Sequence, residues 1–429
     1  MLGAALGAGA LLGTAALAWA AVRVGPISVV SRFCPRQNAE VEAAADRHGG
    51  YVYELWIGCG GIGFSRSTDR GRHFSRPFRV PGSGNQAWDP TLAVAPDGTL
   101  YAAFMVARDH RYFPVVDASF NHGRSFSQTT KLIPPPTKNW GDRPFLAAGP
   151  GGRVYLSWDY GPSRRSVKYI CPKHGSCAFA TGDLNVVVQR SSNHGRTFGR
   201  IIHVSPGFPA SGGDSAPMVV EPSGRIDLLY QGYHVTNRKR YSLAPAYEYF
   251  TASTDGGLRW SKPVRVGAGG GTMSLAEWWI DGDLGIDAGG NLYATWDTQS
   301  PGHDVGWLSV SRDHGRSWSK PIQAPLDRQK GPHIVEVTGG PAGTAYVGWL
   351  TYARRPGYAL EFRPYSLKLG WLSKPLRVSR AYGNARVWPG DTFGITSLSP
   401  THLVLSWGSA TPAFGGRTSE IFAAPVFGR

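Results

Sequence analysis

An all-β fold made of seven copies of one supersecondary unit is what this sequence predicts, and two interleaved repeats predict it. The first is a phrase found five times: Ser, any residue, Asp or Asn, any residue, Gly, two residues, then Phe or Trp. Its copies are Ser67–Phe74, Ser119–Phe126, Ser191–Phe198, Ser253–Trp260 and Ser311–Trp318, with spacings of 52, 72, 62 and 58 residues between their serines. The second is a hairpin signal between the phrases: an apolar strand, a glycine turn and a second apolar strand. Self-similarity at this period means one unit copied rather than one irregular globule.

The hairpins follow one another in order. Ala39–Trp56 comes first, with Gly49-Gly50 as its turn. Asp89–Phe104, Asp142–Trp158, Asp214–Tyr230, Asp281–Trp296, His333–Trp349 and Asp391–Trp407 complete the set of seven. The sixth unit has lost its phrase but keeps the tail, Gly370–Pro375 paralleling Arg316–Pro321. The seventh stops after one more strand near Glu420–Phe427, and Ile27–Ser31 is expected to supply its missing fourth strand. Such closure would join the two ends of the chain and remove an open sheet edge.

Each residue of the phrase has a local task. The Asp or Asn side chain can accept backbone N–H groups just ahead of it and fold a turn. The glycine supplies the positive φ of that turn, and the aromatic ring can pin it on the neighbouring unit. All of this is architectural work.

These phrases resemble the Asp-box, or BNR, repeat of sialidase-like β-propellers, and Ser253–Trp260 is the copy nearest the usual form. The resemblance implies a β-propeller, and the seven hairpins predict seven blades with four antiparallel strands each; six, the sialidase number, is the alternative. It also implies that the box joins the third and fourth strands of a blade, on the face away from the active site. Shared fold alone does not imply sialidase activity.

Composition fits: 57 Gly, 32 Pro and 15 Trp suit short strands and many turns. Residues 1–22 carry no charge and read as a signal peptide or membrane anchor, with Ala18-Trp19-Ala20 as a candidate cleavage site. Residues 25–429 then form one domain, secreted or held at the cell envelope, and expected to be a monomer. Four cysteines allow three pairings. Cys171 and Cys177 share one loop and are expected to pair, which leaves Cys34 and Cys59 to tie the N-terminal strand to the first hairpin; free buried thiols are the alternative. Lys and Arg number 45 against 29 Asp and Glu, a net charge of +16. The expected partner is therefore an acidic glycan or other anionic polymer. No nucleic-acid motif accompanies the charge, so no nucleic acid is expected. Membrane contact is expected only through the N-terminal segment.

Chemistry is expected at the axial mouth, where the first strands begin. The opening positions are uniform: Trp88-Asp89, Trp140-Gly141-Asp142-Arg143, Gly213-Asp214, Trp279-Ile280-Asp281 and Trp388-Pro389-Gly390-Asp391. They predict a ring of carboxylates flanked by Trp88, Trp140 and Trp279. Clustered carboxylates raise one another's pKa, which suits general-acid work. Otherwise they bind a cation such as calcium, or each simply caps its own strand. No zinc-ligand spacing is present and no cofactor is expected. Arg108, Arg164 and Arg354 lie in the loops that leave the second strands, where arginine forks could hold acidic sugars.

The sialidase resemblance implies arginines on the substrate carboxylate, a Tyr–Glu nucleophile and an Asp acid/base. The nearest match is Asp142-Arg143-Pro144-Phe145, followed by Asp159. It falls in the third unit rather than the first and lacks the usual Ile. By that resemblance Arg143 would bind the acid group, Asp159 would be the acid, Glu248 or Glu277 would serve as the glutamate, and Tyr233 or Tyr352 as the nucleophile. The ring aspartates Asp89, Asp142, Asp214 and Asp281 are the other candidates. The expected function is an exported sialidase-like glycoside hydrolase acting on an acidic glycan. A non-catalytic glycan- or protein-binding propeller and a polysaccharide lyase are the alternatives.

Overall fold

Strands buried on both faces, such as Tyr51–Gly58, Leu100–Arg108 and His402–Ser409, need apolar cover on each side, and the chain provides it by stacking sheet on sheet. The computed structural model describes residues 22–35, 37–46, 48, 50–135, 138–163, 167–170, 178–181, 185–204, 211–214, 216–237, 242–243, 247–267, 282–300, 303–324, 332–353, 357–411 and 415–428. None of them is helical.

The fold is a β-propeller of seven four-stranded antiparallel blades. The first blade takes Ala39–Asp46, Tyr51–Gly58, Gly61–Ser67 and Phe78–Arg79. The second takes Ala87–Val94, Leu100–Arg108, Arg111–Ser119 and Gln128–Lys131, and the third Trp140–Ala148, Val154–Gly161, Asn185–Ser191 and Ile202–His203. In the fourth, Ser211–Asp214 and Met218–Val220 share the innermost place, before Ile226–Asn237, Tyr247–Ser253 and Val264–Arg265. The fifth runs through Asp283–Ile286, Leu292–Ser300, His303–Ser311 and Ile322–Gln323. The sixth runs through Pro332–Gly339, Thr344–Ala353 and Gly357–Ser366, with Gly370–Trp371 and Leu376–Arg377 outermost. The seventh has Gly394–Ser399, His402–Ser409 and Glu420–Gly428. Its outer strand comes from the start of the chain: Val22–Val24 and Ser28–Val29 both pair with Glu420–Gly428. The expected closure is present, and it reaches back beyond Ile27 to Val22.

First strands of successive blades touch all round the ring and enclose one axis. Each has no sheet partner on its axial side, so its spare amides need other acceptors. Side chains of the preceding blade meet that need. Asp89 Oδ2 accepts from Arg143 N at 3.0 Å, Thr91 Oγ1 from Leu146 N at 3.3 Å, Asp283 Oδ2 from Val337 N at 2.7 Å and Glu336 Oε1 from Phe393 N at 3.0 Å. Spare carbonyls are treated likewise: Ser157 Oγ donates to Ala216 O at 2.5 Å and Thr295 Oγ1 to Val335 O at 2.8 Å.

All five phrases form the same turn between third and fourth strands. In Ser311–Trp318, Ser311 Oγ accepts from Gly315 N at 2.8 Å and donates to Asp313 Oδ1, which takes Ser317 N at 2.9 Å. The other copies repeat this, for example Ser67 with Gly71 and Asp69, and Ser119 with Gly123 and Asn121. Gly315 has φ +79°, and a Cβ there would lie 2.0 Å from the Phe250 ring of the blade before. The closing aromatics pack backwards as expected: Phe126 meets Phe64 edge-on at 5.0 Å, and Trp318 lies 5.4 Å from Phe250.

A disulfide joins Cys34 to Cys59, fastening the N-terminal strand to the first blade. Cys171 and Cys177 lie outside the described residues. The strands on either side of that stretch, Val167–Ile170 and Ala178–Thr181, pair as a separate hairpin.

Candidate functional site

The first strands of four blades slip register where they begin, between Ala39 and Val41, Trp88 and Thr91, Asp142 and Phe145, and His333 and Val335. Inside each slip stands a non-glycine residue with a left-handed backbone: Glu40 at φ 52°, Asp89 at 46°, Arg143 at 44° and Ile334 at 66°. That conformation is disfavoured for L-residues by about 1–2 kcal/mol. Its recurrence at one structural position marks a bulge that re-aims the side chain at the axis. In the seventh blade Gly390, at φ 106°, precedes Asp391 at the equivalent place.

Four of these positions form one cluster. Glu40, Asp89 and Asp391 each offer a carboxylate oxygen, all within 4.8 Å of one another. Arg143 Nη2 lies 3.4 Å from Asp391 Oδ2, and Asp142 Oδ1 accepts Trp88 Nε1 at 2.5 Å. Glu40 and Asp391 are buried, while Asp89, Asp142 and Arg143 remain partly open. Burial, and next the Asp391 charge, hold Glu40 well above the usual carboxylate range. Burial, then Asp142 and Glu40, does the same to Asp89, against the pull of Arg143. Carboxylates this close around one guanidinium do not all ionise together, so the cluster keeps a proton above ordinary carboxylate pH. The three oxygens are also spaced so that a divalent cation could bridge them, although Arg143 already supplies positive charge at Asp391.

Beneath the cluster the axis holds a cavity of about 180 Å³ reached by every blade, through Glu42, Leu92, Phe145, Met218, Asp283, Glu336 and Thr392 among others. Burial pushes Asp283 up to about 6, opposed by the amides of Val337 and Leu284. To one side of the cluster stands an aromatic wall: Trp88 lies 5.8 Å from Tyr112, and Tyr112 lies 5.0 Å from Trp140. Asn139 brackets Tyr112, accepting from its N at 3.1 Å and donating to its O at 2.7 Å. Trp388, 42% exposed, is the open aromatic near the start of the seventh blade.

The fold thus brings together Asp89, Asp142, Arg143 and Trp88. Trp140 is buried and supports the wall. Asp159 stands opposite Asp142 in the register of the third blade, but it is buried on the second strand. Glu248 is buried in the fourth blade against Gly282, where a Cβ would come within 2.8 Å of its Oε2. Arg108 is exposed at the tip of the second blade, 3.6 Å from Asp109. Asp214 and Tyr233 sit on paired strands of the fourth blade, opposite Gln231 and Gly212 respectively, and their side chains are outside the described part. Asp281, Trp279, Arg164 and Arg354 lie outside the described residues.

Glu40 is the cluster member that sequence reading missed. A signal for it exists. Asp89, Arg143 and Ile334 stand fifteen residues before Phe104, Trp158 and Trp349, the buried aromatics late in their second strands. Glu40 stands sixteen before Trp56, and Asp391 sixteen before Trp407. Counting back from the aromatic locates the axial residue even where its type changes.

No protein-family model matches this chain, and no curated protein matches it. Solved structures do. A Dyadobacter fermentans protein of unknown function aligns at 13% identity over 95% of this chain and 99% of its own, with a TM-score of 0.55. The α-L-arabinanase of Penicillium chrysogenum, complexed with arabinobiose, aligns at 14% identity over 82% of this chain and 99% of its own, with a TM-score of 0.53. The Hadza microbial sialidase Hz136 aligns at 12% identity over 87% and 76%, with a TM-score of 0.50. At such identities the likeness establishes the propeller fold alone.

Proposed function

We propose that this chain is a sialidase-like, Asp-box glycoside hydrolase working at the axial mouth. The observation that carries the reading is the meeting of Glu40, Asp89 and Asp391 beside Arg143, with Asp89 held protonated above its usual range. Two carboxyl groups in unlike settings divide the work. Asp89, partly open and with a raised pKa, donates its proton to the glycosidic oxygen as the C–O bond breaks. Asp142, kept as an acceptor by the Trp88 indole N–H, stabilises or attacks the anomeric centre. Glu40 and Asp391 set the charge around them, and Arg143 positions an acidic group of the sugar. The likeness to arabinanase and sialidase propellers supports a glycan as substrate. The Cys34–Cys59 disulfide agrees with an oxidising, extracellular setting.

A second reading, a glycan-binding propeller without turnover, is favoured by the bond from Arg143 N to Asp89 Oδ2, which gives that carboxylate a structural role. Turnover of fluorogenic sialosides, arabinosides and acidic oligosaccharides separates the two. Hydrolysis lost in Asp89→Asn, and a raised KM in Arg143→Ala, are the expected results. A folded wild-type protein that cleaves none of them while retaining them on a glycan array would establish the binding reading instead. An unsaturated, ultraviolet-absorbing product would identify a lyase.

A further inference from the structure

We propose that the face opposite the mouth docks flat on an anionic phospholipid surface. The five phrases contain seven arginines and three aspartates. Arg72, Arg124, Arg196 and Arg316 directly follow the turn glycine, and Arg259 stands two residues after Gly257. All five are exposed, and none of them makes a salt bridge among the described residues. Because each phrase joins a third strand to a fourth, these arginines project from one end of five neighbouring sheets. That arrangement offers a broad basic plane rather than a groove for a single polymer chain.

The acids of this face are engaged within it. Asp69, Asp255 and Asp313 accept amides of their own turns, for example Arg259 N at 2.9 Å on Asp255. Asp46, Asp97 and Glu221, in the first turns of their blades, lie 3.5, 4.0 and 2.8 Å from the ring nitrogens of His122, His194 and His314. At the junction of the third and fourth blades the pattern changes: Gly256 replaces the histidine, and Arg153 and Arg190 flank a recess of about 510 Å³. Arg190 Nη1 donates to Gly256 O at 3.1 Å. Two guanidinium groups with the hydroxyls of Thr197 and Thr254 offer donors to one phosphate headgroup there, beside Asp255, whose Oδ1 is occupied by the amides of its own turn.

The chain itself indicates a bilayer rather than a soluble polyanion. Val22 pairs with Gly428, whose N donates to Thr401 O at 2.9 Å in the first turn of the seventh blade. Ser28 Oγ donates to Arg72 O at 2.9 Å. Val22, the first described residue, therefore stands at the basic face, and the segment before Arg23 has no charged side chain. A bilayer meeting that segment also meets the five arginines, and the acidic mouth then faces away from it.

The test is co-sedimentation of the full chain with vesicles of phosphatidylcholine alone or with phosphatidylglycerol added. Five arginines, each giving about fivefold, predict roughly three-thousandfold tighter binding to the anionic vesicles, lost at high salt. Replacing Arg72, Arg124, Arg196, Arg259 and Arg316 by Ser abolishes the preference, replacing them by Lys preserves it, and turnover of short glycosides is unchanged by either. On vesicles, hydrogen exchange slows in the five turns and not at Asp89. Equal binding to both vesicle types, or a preference that survives in the Ser variant, overturns the proposal. So does tight binding to dextran sulfate without selectivity between vesicles, which would make a polymer the partner.

Discussion

The backbone N–H of Arg143 donates to Asp89 Oδ2 at 3.0 Å, so one carboxylate both clamps the second blade to the third and belongs to the acidic cluster of the mouth. These two roles separate by mutation. Asp89→Asn keeps an oxygen for the amide and removes the titrating acid, whereas Asp89→Ala removes both. Turnover falls by about 10²–10⁴ in each. Stability falls by about 1–3 kcal/mol in the Ala variant only. Steady-state kinetics beside urea unfolding decide it, and equal destabilisation in both variants would rule out the clamp.

Buried acids make the protein more stable in mild acid than in mild alkali. Burial pushes Asp117 up to about 7, opposed by the Thr129 hydroxyl, and Asp283 up to about 6. A carboxyl whose folded pKa is raised contributes fully below its unfolded value and loses that contribution as pH rises through the folded one. Thermal midpoints are therefore expected to decline as pH rises from about 4 to about 7. Asp117→Asn should flatten that decline, and a slope unchanged by the mutation would remove Asp117 from the account.

His314 and Glu221 impose the opposite dependence at the junction of the fourth and fifth blades. Burial is the largest influence on Glu221 and raises its pKa, but the bond from His314 Nδ1 at 2.8 Å, together with the contacts from Asp227 and Ser223, leaves the group below its ordinary value of 4.5. The sign is now reversed: the contribution is present above that value and is lost as pH falls through the folded pKa. A double-mutant cycle with His314→Ala and Glu221→Gln should give a coupling of about 1 kcal/mol at neutral pH, vanishing in acid. A coupling independent of pH would mean that packing alone joins the pair.

Two glycines of equal φ test what the phrase requires. Gly315 (φ +79°) has the Phe250 ring 2.0 Å from where a Cβ would sit, and Gly60 (φ +78°) has open space. Gly60→Ala should cost about 1–2 kcal/mol for its backbone alone. Gly315→Ala should cost about 3–5 kcal/mol, because overpacking against the preceding blade adds to the same backbone term. Denaturant midpoints compare them directly, and similar losses would show that Phe250 yields.

Much of this architecture is legible in the residues because its determinants are local. Ser311, Asp313, Gly315 and Ser317 hydrogen-bond within one turn, so their spacing is visible in any copy of the phrase. The seventh blade was legible for a different reason: a sheet lacking one strand, with an unused strand at the other end of the chain, has one economical closure. The mouth was half legible. Asp89, Asp142 and Arg143 stand out as charged residues where a strand begins. Glu40 does not, because Ala39 and Val41 around it read as an ordinary strand, and its left-handed bulge is set by contacts with the seventh blade such as Glu40 N donating to Pro389 O at 3.2 Å.

The sequence by itself determined the repeating unit, the number of units and the turn that ends each one, since hydrogen bonds within a few residues and apolar alternation specify them without reference to the rest of the chain. Only the tertiary structure decided which charges meet. Glu40, Asp89, Arg143 and Asp391 belong to four blades and to opposite ends of the chain, and closing the ring around one axis is what places them together. Closure likewise assembles exposed arginines from five separate phrases on the opposite face. A repeat shows what each blade presents at each end, whereas the distances between blades exist only once seven twisted sheets have packed face to face.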